Sequence, residues 1–353
     1  MKSDEIKDRI MGTILGTLIG DALGVGPHWY YDLDALRRDY GTWISDYTAP
    51  LPHRYHAGLE AGMNSQTGQV VAFLLESIAT NGGYVEEDFT WHLDGLFATL
   101  DGTPHGGRYT DHAMRDVWKA RKEGRAWKAA GSFADTAEAA IRVPVIAGRY
   151  CGDFGKALSN ILSNVRITHI DPFIAGQSTA FGLVVHALVN GVPLEDAPGF
   201  IRSEANKAGV SLAVPLVHPA YAGTGEPGSF TEEVPFIDAV LQPAWVHAAA
   251  RDPAVKIEPA WAACRLFGLA CTLGFMLPAA YYFASRFEGD FESAVLSAIN
   301  GGGNNMARAA LAGAVSGAMT GLSGIPERFI SGLAGHKHIL VRASRIADDA
   351  VDH

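Results

Sequence analysis

Cysteine is scarce in this 353-residue chain. The three present, Cys151, Cys264 and Cys271, form no CxxC pair and are odd in number, which excludes a disulfide framework and a zinc knuckle. A reducing, cytoplasmic setting is expected. Positive charge is also in deficit, with 28 Lys and Arg against 38 Asp and Glu and a net charge of −10. That balance offers no footprint for nucleic acid or for an anionic membrane surface, so a small-molecule or protein-borne substrate is the expected partner. Charged residues of both signs make up only 19% against 48% hydrophobic, which excludes disorder over most of the chain and permits a large core. The N-terminus has no basic n-region, carrying Asp4, Glu5 and Asp8 before its first apolar stripe, and export is not expected. The longest apolar run, Leu266 to Ala284, is preceded by Arg265 and interrupted by Pro278; it reads as a buried core helix rather than a membrane span.

Runs of alternating β-branched residues are few, and helical periodicity is plentiful. Ile6, Ile10, Ile14, Leu18 and Ala22 recur every fourth position, as on one face of a helix. Gly12, Gly16, Gly20 and Gly24 form a second stripe at the same spacing. Each costs about 1 kcal/mol relative to Ala in a helix interior, so close approach of another backbone or of a ligand must compensate. Further helices are expected over Gln69 to Thr80, Val85 to Leu100, Asp111 to Glu123, Ala134 to Tyr150, Phe154 to Asn164, Pro172 to Asn190 and Pro193 to Ala208, and again from Pro259 onward. Turns are expected at Asn81-Gly82-Gly83, Gly102-Thr103-Pro104 and Gly106-Gly107. The Pro- and Gly-rich stretch from Pro215 to Asp252 reads as a long irregular excursion, at about 215–252. No repeat is found, and the organisation expected is one all-α domain over 1–353.

Four segments combine glycines with polar side chains. In Gly20-Asp21-Ala22-Leu23-Gly24 and the following Pro27-His28-Trp29-Tyr30-Tyr31, Asp21 and Trp29 either line a cleft or, as this segment alone favours, serve as backbone cap and core. In His56-Ala57-Gly58-Leu59-Glu60-Ala61-Gly62-Met63-Asn64-Ser65-Gln66-Thr67-Gly68-Gln69, Ser65 or Thr67 serves as an N-cap, and the free amides of the helix start either form an anion site or are simply capped. In Thr168-His169-Ile170-Asp171-Pro172, Asp171 before a proline marks a helix start, and His169 is either a pocket residue or a satisfied core histidine. In Asn300-Gly301-Gly302-Gly303-Asn304-Asn305-Met306, the amides of Gly302 and Gly303 either cradle phosphate or ribose oxygens or simply make a tight interhelical turn.

Taken in order, these segments resemble the ADP-ribosylglycohydrolase family, which includes the dinitrogenase reductase-activating enzymes and jellyfish J1 crystallins. The family's GDALG matches Gly20 to Gly24, its TH-x-DP matches Thr168 to Pro172, and the Ala/Gly-rich helix after its late GGDTDT matches Ala309 to Ala314. The resemblance implies a large orthogonal all-α bundle. It also implies two magnesium ions that orient ADP-ribose and an acidic residue, shortly after GDALG, that assists cleavage of a glycosidic bond.

The chain departs from that pattern at the ligands. The family's TDDT falls on Ser65, Gln66, Thr67 and Gly68; the aspartates of GGDTDT fall on Asn304 and Met306, its threonines on Asn305 and Ala307, and the assisting glutamate falls on His28. Magnesium prefers anionic oxygen ligands, so the two ions are expected to be absent and no cofactor is expected. Two functions follow. One is a metal-independent hydrolase of a glycosidic or related C–N bond in an ADP-ribosyl, nucleoside-like or other small substrate. There, His28 is general acid or base, Asp171 and His169 orient ligand or water, and Asp21, Trp29, Asn64, Ser65, Gln66, Thr67, Gly302, Gly303, Asn304 and Asn305 bind substrate. The other is a non-catalytic binder of a nucleotide-like ligand or a crystallin-like structural protein. A relocated metal on Asp111, Asp135 or Glu138 is the third and least favoured arrangement.

Overall fold

A helix carrying only a hydrogen at every fourth position can lie directly against another backbone, and the chain supplies that backbone itself. In the computed structural model, which describes residues 2–101, 111–217 and 232–352, the first helix α1 (Ser3–Val25) runs antiparallel to the late helix Asn305–Thr320. A Cβ built on Gly16 would lie 2.2 Å from the carbonyl oxygen of Gly313, and one on Gly20 would lie 2.1 Å from that of Ala309. Gly12 meets Gly317 and Gly24 meets Met306 at similar range. The late helix carries its own four-residue stripe, Ala309, Gly313 and Gly317, so the two backbones touch along most of their length. Thr13 Oγ1 donates to Ala314 O across the contact at 2.9 Å. Of the two compensations available to the glycines, close packing of another backbone is the one used.

The other helices follow as α2 (Leu33–Tyr40), α3 (Gln66–Asn81), α4 (Glu86–Phe97), α5 (His112–Lys122), α6 (Glu138–Arg149), α7 (Phe154–Arg166), α8 (Pro172–Val189) and α9 (Ala197–Ala208). After them come α10 (Ile237–Arg251), α11 (Ala263–Phe267), α12 (Leu273–Arg286), α13 (Phe291–Asn300), α14 (Asn305–Thr320), α15 (Glu327–Gly332) and α16 (His336–Val351). Helices α6, α8, α12, α13 and α16 pack around the α1–α14 pair. The strands described are β1 (Ala213–Pro215) and β2 (Glu233–Pro235), a short antiparallel pair with Val214 opposite Val234. The fold is all-α, as the periodicities and the resemblance implied.

Three sequence expectations need correction. The segment 215–252 is not irregular throughout: α10 occupies its second half, with Val240, Pro243, His247 and Ala250 buried on one face at helical spacing. Residues 218–231, like the turns expected at Gly102-Thr103-Pro104 and Gly106-Gly107, lie outside the described residues. The run Leu266 to Ala284 is not one helix, because Gly268 adopts φ +120° and separates α11 from α12. The long apolar helix is instead Pro172–Val189, whose surface is largely buried by its neighbours. Finally, α6 begins at Glu138 rather than Ala134. Ser132 exchanges backbone bonds with Thr168 and Ile170, at 2.9 Å each, and Asp135 O accepts from Leu273 N at 2.8 Å. These contacts hold residues 132–135 extended and out of the helix.

Candidate active site

The start of α3 organises two buried polar clusters. Ser65 is its N-cap, with Oγ accepting from the amides of Thr67 and Gly68, and it is anchored in turn by Asp21 of α1. Asp21 is fully buried and accepts from Ser65 Oγ at 2.6 Å, Ser65 N at 2.8 Å and Asn64 Nδ2 at 2.9 Å. Burial raises its pKa, and the bonds from Ser65 and Asn64 oppose the rise. Asp21, Asn64 and Ser65 are therefore committed to fastening α3 onto α1. Both Asp21 oxygens and the Ser65 hydroxyl, expected to contact substrate, are engaged in this junction, and Asn64 Nδ2 is shared between Asp21 and Leu18 O.

The first cluster surrounds His28. Its Nε2 lies 3.2 Å from Asn304 Oδ1, which also accepts from Ala307 N as the cap of α14. Asn304 Oδ1 is thus the acceptor, and His28 carries its proton on Nε2. His28 Nδ1 is left to accept from His56 Nε2, 2.6 Å away. Burial, then the neighbouring His56, holds the His28 pKa well below the usual imidazole range, and burial lowers His56 to about 4. Both rings are neutral at pH 7. Both ring nitrogens of His28 are engaged inside the protein and its charged form is disfavoured, an arrangement less suited to the general acid or base expected of it than the second cluster described below. Next to it, Trp29 adopts φ +63°, an unusual conformation for a bulky side chain. It is held there by Trp29 N donating to Gly303 O at 3.1 Å, Gly303 N donating to Tyr30 O at 2.7 Å, and Arg54 Nη2 donating to the carbonyls of His28 and Trp29.

The glycine run is corrected in the same way. The amide of Gly302 goes to Ile299 O, that of Gly303 to Tyr30 O and that of Asn304 to Leu269 O, so none of the three is left for a phosphate. Gly302 and Gly303 are required because both have φ near +70° and a Cβ on either would strike Tyr30 or Leu269. Asn305 is fully buried and donates to Pro27 O and Ile299 O; its substrate role is likewise replaced by a structural one. Asp171 caps α8, with Oδ1 accepting from the amides of Phe173 and Ile174. Gln66 is half-buried at the first position of α3.

The second cluster holds the acidic groups. Thr67 Oγ1 points from α3 to Asp111 Oδ2 at 3.4 Å, and Asp111 is hydrogen-bonded to Glu138 at the start of α6. Glu138 Oε2 accepts from Thr136 Oγ1 at 2.5 Å and lies 3.1 Å from His169 Nε2. Its other oxygen, Oε1, is buried and receives no N–H or alcohol donor. Burial, then the Glu138 charge beside it, pushes the Asp111 pKa well above the carboxylate range. Two carboxyls can share a hydrogen bond only if one is protonated. Glu138 Oε2 has two close partners, Thr136 and His169, against the single long bond from Thr67 to Asp111, and with its raised pKa Asp111 is the member that favours the protonated form. His169 is fully buried, and burial followed by the charge of Arg142 lowers its pKa to about 3. It is a satisfied, neutral ring whose partner is Glu138.

The loop 268–272 joins the two clusters. Leu269 O receives the amide of Asn304, and Thr272 Oγ1 donates to Asp135 Oδ2 at 2.8 Å. Cys271 lies between them, its thiol pushed up to about 11 by burial and then by the charges of Asp111, Glu138 and Asp135. Tyr31, more than half exposed, is within electrostatic range of Cys271 and Tyr55.

At the positions where the resemblance places magnesium ligands, the donors are neutral. Ser65, Thr67 and Asn304 are engaged as described, and Met306 is a buried thioether. Among the described residues no three His, Cys, Asp or Glu side chains are gathered as a metal site. This donor set does not suit a pair of hard divalent ions. The sequence offers Asp111 and Glu138 as candidates only for a relocated metal, His56 only as the first residue of the segment leading into α3, and Thr136 and Arg142 for no role. One signal was present: Glu138 and Arg142 sit four residues apart in the otherwise apolar run Ala137 to Ala147, where charges are rare unless they are paired.

Comparison with known proteins agrees with this architecture. The chain is 24% identical over 330 residues to an uncharacterised protein of Archaeoglobus fulgidus, covering 92% of each. Its fold is similar to that of an ADP-ribosylglycohydrolase-related protein complex, at 18% identity and a TM-score of 0.64 over 98% of this chain and 99% of the other. The sequence model of the ADP-ribosylglycohydrolases matches residues 2–353, and the chain belongs to that family.

Proposed function

We propose that the protein is a metal-independent hydrolase that cleaves a glycosidic or related C–N bond of an ADP-ribosyl or nucleoside-like substrate, with Asp111 and Glu138 as its acid and base. The observation that carries this reading is the carboxyl pair itself. One member is held neutral by burial and by its partner, and the other accepts from Thr136 and His169. Two carboxyls whose protonation is driven apart by their surroundings form an acid–base assignment.

In the reaction, the Glu138 carboxylate takes a proton from water as the water oxygen bonds to the anomeric carbon. The bond from that carbon to the leaving nitrogen or oxygen breaks with its electron pair, and the Asp111 proton passes to the leaving atom. The proton now on Glu138 returns to Asp111 across their hydrogen bond and restores the starting state. Because the two groups are bonded to each other, they act on one side of the scissile bond, unlike glycosidase carboxyls separated by about 5 Å or more. Asp111, the more exposed of the pair at 9%, is the one that reaches substrate.

The test uses purified protein in chelator on ADP-ribosylated peptides and a nucleoside panel. Turnover that is lost in Asp111→Asn supports the proposal, and no turnover above that variant on any substrate overturns it. A second reading has its own support, because His28, Asn304, Asn305, Ser65 and Asp21 all bond to the protein itself. On that reading the protein binds a nucleotide-like ligand or is structural. A rise in melting temperature with ADP-ribose, without turnover, would select the binder; a ligand at 100 times its dissociation constant stabilises by about 2.7 kcal/mol.

A further inference from the structure

A chain of donors leads into the carboxyl pair from one turn further along α6. Arg142 is completely buried. Its Nε donates to Asn164 Oδ1 at 2.7 Å, and its Nη2 donates to Asn164 O at 2.7 Å and to Thr168 Oγ1 at 2.8 Å. Thr168 Oγ1 is in turn 2.9 Å from His169 Nδ1, and His169 Nε2 is 3.1 Å from Glu138 Oε2. A guanidinium has only donors, so one lone pair of Thr168 Oγ1 is taken and its proton is free to point at His169. The bonds that Ser132 makes to both Thr168 and Ile170 fix this segment on either side of the ring.

Only one tautomer fits the chain. If Nδ1 accepts from Thr168, Nε2 carries the proton and donates to Glu138. The reverse tautomer would place a bare Nε2 lone pair 3.1 Å from a carboxylate oxygen. It would also leave the Thr168 hydroxyl proton without His169 as its acceptor. Thr136 does not relieve this, since its hydroxyl is already committed to Glu138 at the shorter distance of 2.5 Å, against 3.3 Å to His169.

We infer that Arg142 and Thr168 are positioning residues that lock His169 as its Nε2–H tautomer, so that the ring donates to Glu138 Oε2 and holds that carboxyl as an acceptor. The catalytic consequence rests on the hydrolase reading above; the tautomer lock does not. Neither Arg142 nor Thr168 touches Asp111 or Glu138 in the hydrogen-bond pattern, and their influence is transmitted through one ring.

The test reads the ring directly. Two-bond ¹H–¹⁵N correlation spectra of the wild-type protein at pH 7 should show His169 with a protonated Nε2 and an unprotonated Nδ1; the opposite pattern overturns the lock without any variant. Thr168→Val, checked for folding by circular dichroism, should move the ring toward the Nδ1–H form, while Thr168→Ser, which keeps the hydroxyl, should retain the wild-type pattern. A folded Thr168→Val with an unchanged tautomer overturns the assignment. On a substrate that the wild type turns over, Thr168→Val should lower kcat on the order of 100-fold, the lower end of what positioned acid–base groups supply, with KM little changed and with recovery in Thr168→Ser. If the wild type turns over nothing, the functional reading fails while the tautomer result still decides the lock.

Discussion

Substituting Gly16 by Ala tests the packing that defines the fold, because the same change made elsewhere should have the opposite sign. Gly16 lies inside α1, where Ala would gain about 1 kcal/mol from helix propensity alone. Its Cβ, however, would fall 2.2 Å from Gly313 O and 3.1 Å from the Phe291 ring. An ordinary contact needs more than 3 Å, so α1 and α14 would have to part by roughly 1 Å, and overpacking of this kind costs typically about 1–3 kcal/mol and occasionally more. Backbone offers less relief than a flexible side chain, and parting the helices also stretches the Thr13–Ala314 bond. A net loss of about 1 kcal/mol is expected after the propensity gain. The control is Gly95→Ala in α4, where a Cβ meets nothing within 4 Å and a gain of up to about 1 kcal/mol is expected. Urea unfolding of both variants at 25 °C, read by far-ultraviolet circular dichroism, gives the two numbers. A Gly16→Ala protein as stable as wild type would show that the α1–α14 contact is not the close backbone packing described.

Two further predictions concern pH. His169 is lowered to about 3, and His56 and His186 to about 4, from an ordinary value of 6.5; for a base depressed on folding, stability is complete above 6.5 and is lost as pH falls, each group removing on the order of 1 kcal/mol per pH unit. Urea midpoints should therefore drop steeply from pH 7 to pH 5, and a flat profile would refute the neutral, buried rings. Asp111 is shifted the other way, so its contribution to stability is present at low pH and is lost as pH rises through its elevated folded value. Asp111→Asn should gain on wild type more at pH 9 than at pH 5, and an equal difference at both would contradict the protonated assignment.

Much of the fold was legible because it rests on spacing. The stripe Gly12 to Gly24 announced a close helical contact before its partner was visible, and Gly313 and Gly317, at the same spacing, were the partner's own mark. What spacing could not convey was where polar atoms would be spent. Ser65, Asn304 and the amides of Gly302 and Gly303 have the chemistry of a ligand cradle, yet a donor used by Tyr30 O or Asp21 is no longer open to a ligand. The proposed site joins Asp111, Glu138 and His169, which are up to 58 residues apart in sequence. No local pattern binds them, and each on its own reads as a cap, a charge in an apolar helix or a core histidine. The helix α10 was hidden for a different reason, since Pro243 and the Pro- and Gly-rich stretch before it masked a face that is regular once folded.

The most direct test of the account is the hydrolysis of an ADP-ribosylated peptide by chelator-treated wild-type protein and by Glu138→Gln, with and without magnesium added back. A metal-free carboxyl pair predicts that wild-type kcat/KM is the same with and without magnesium and that Glu138→Gln loses on the order of 100-fold or more. Activity that appears only on adding magnesium, or that survives in Glu138→Gln, would contradict it.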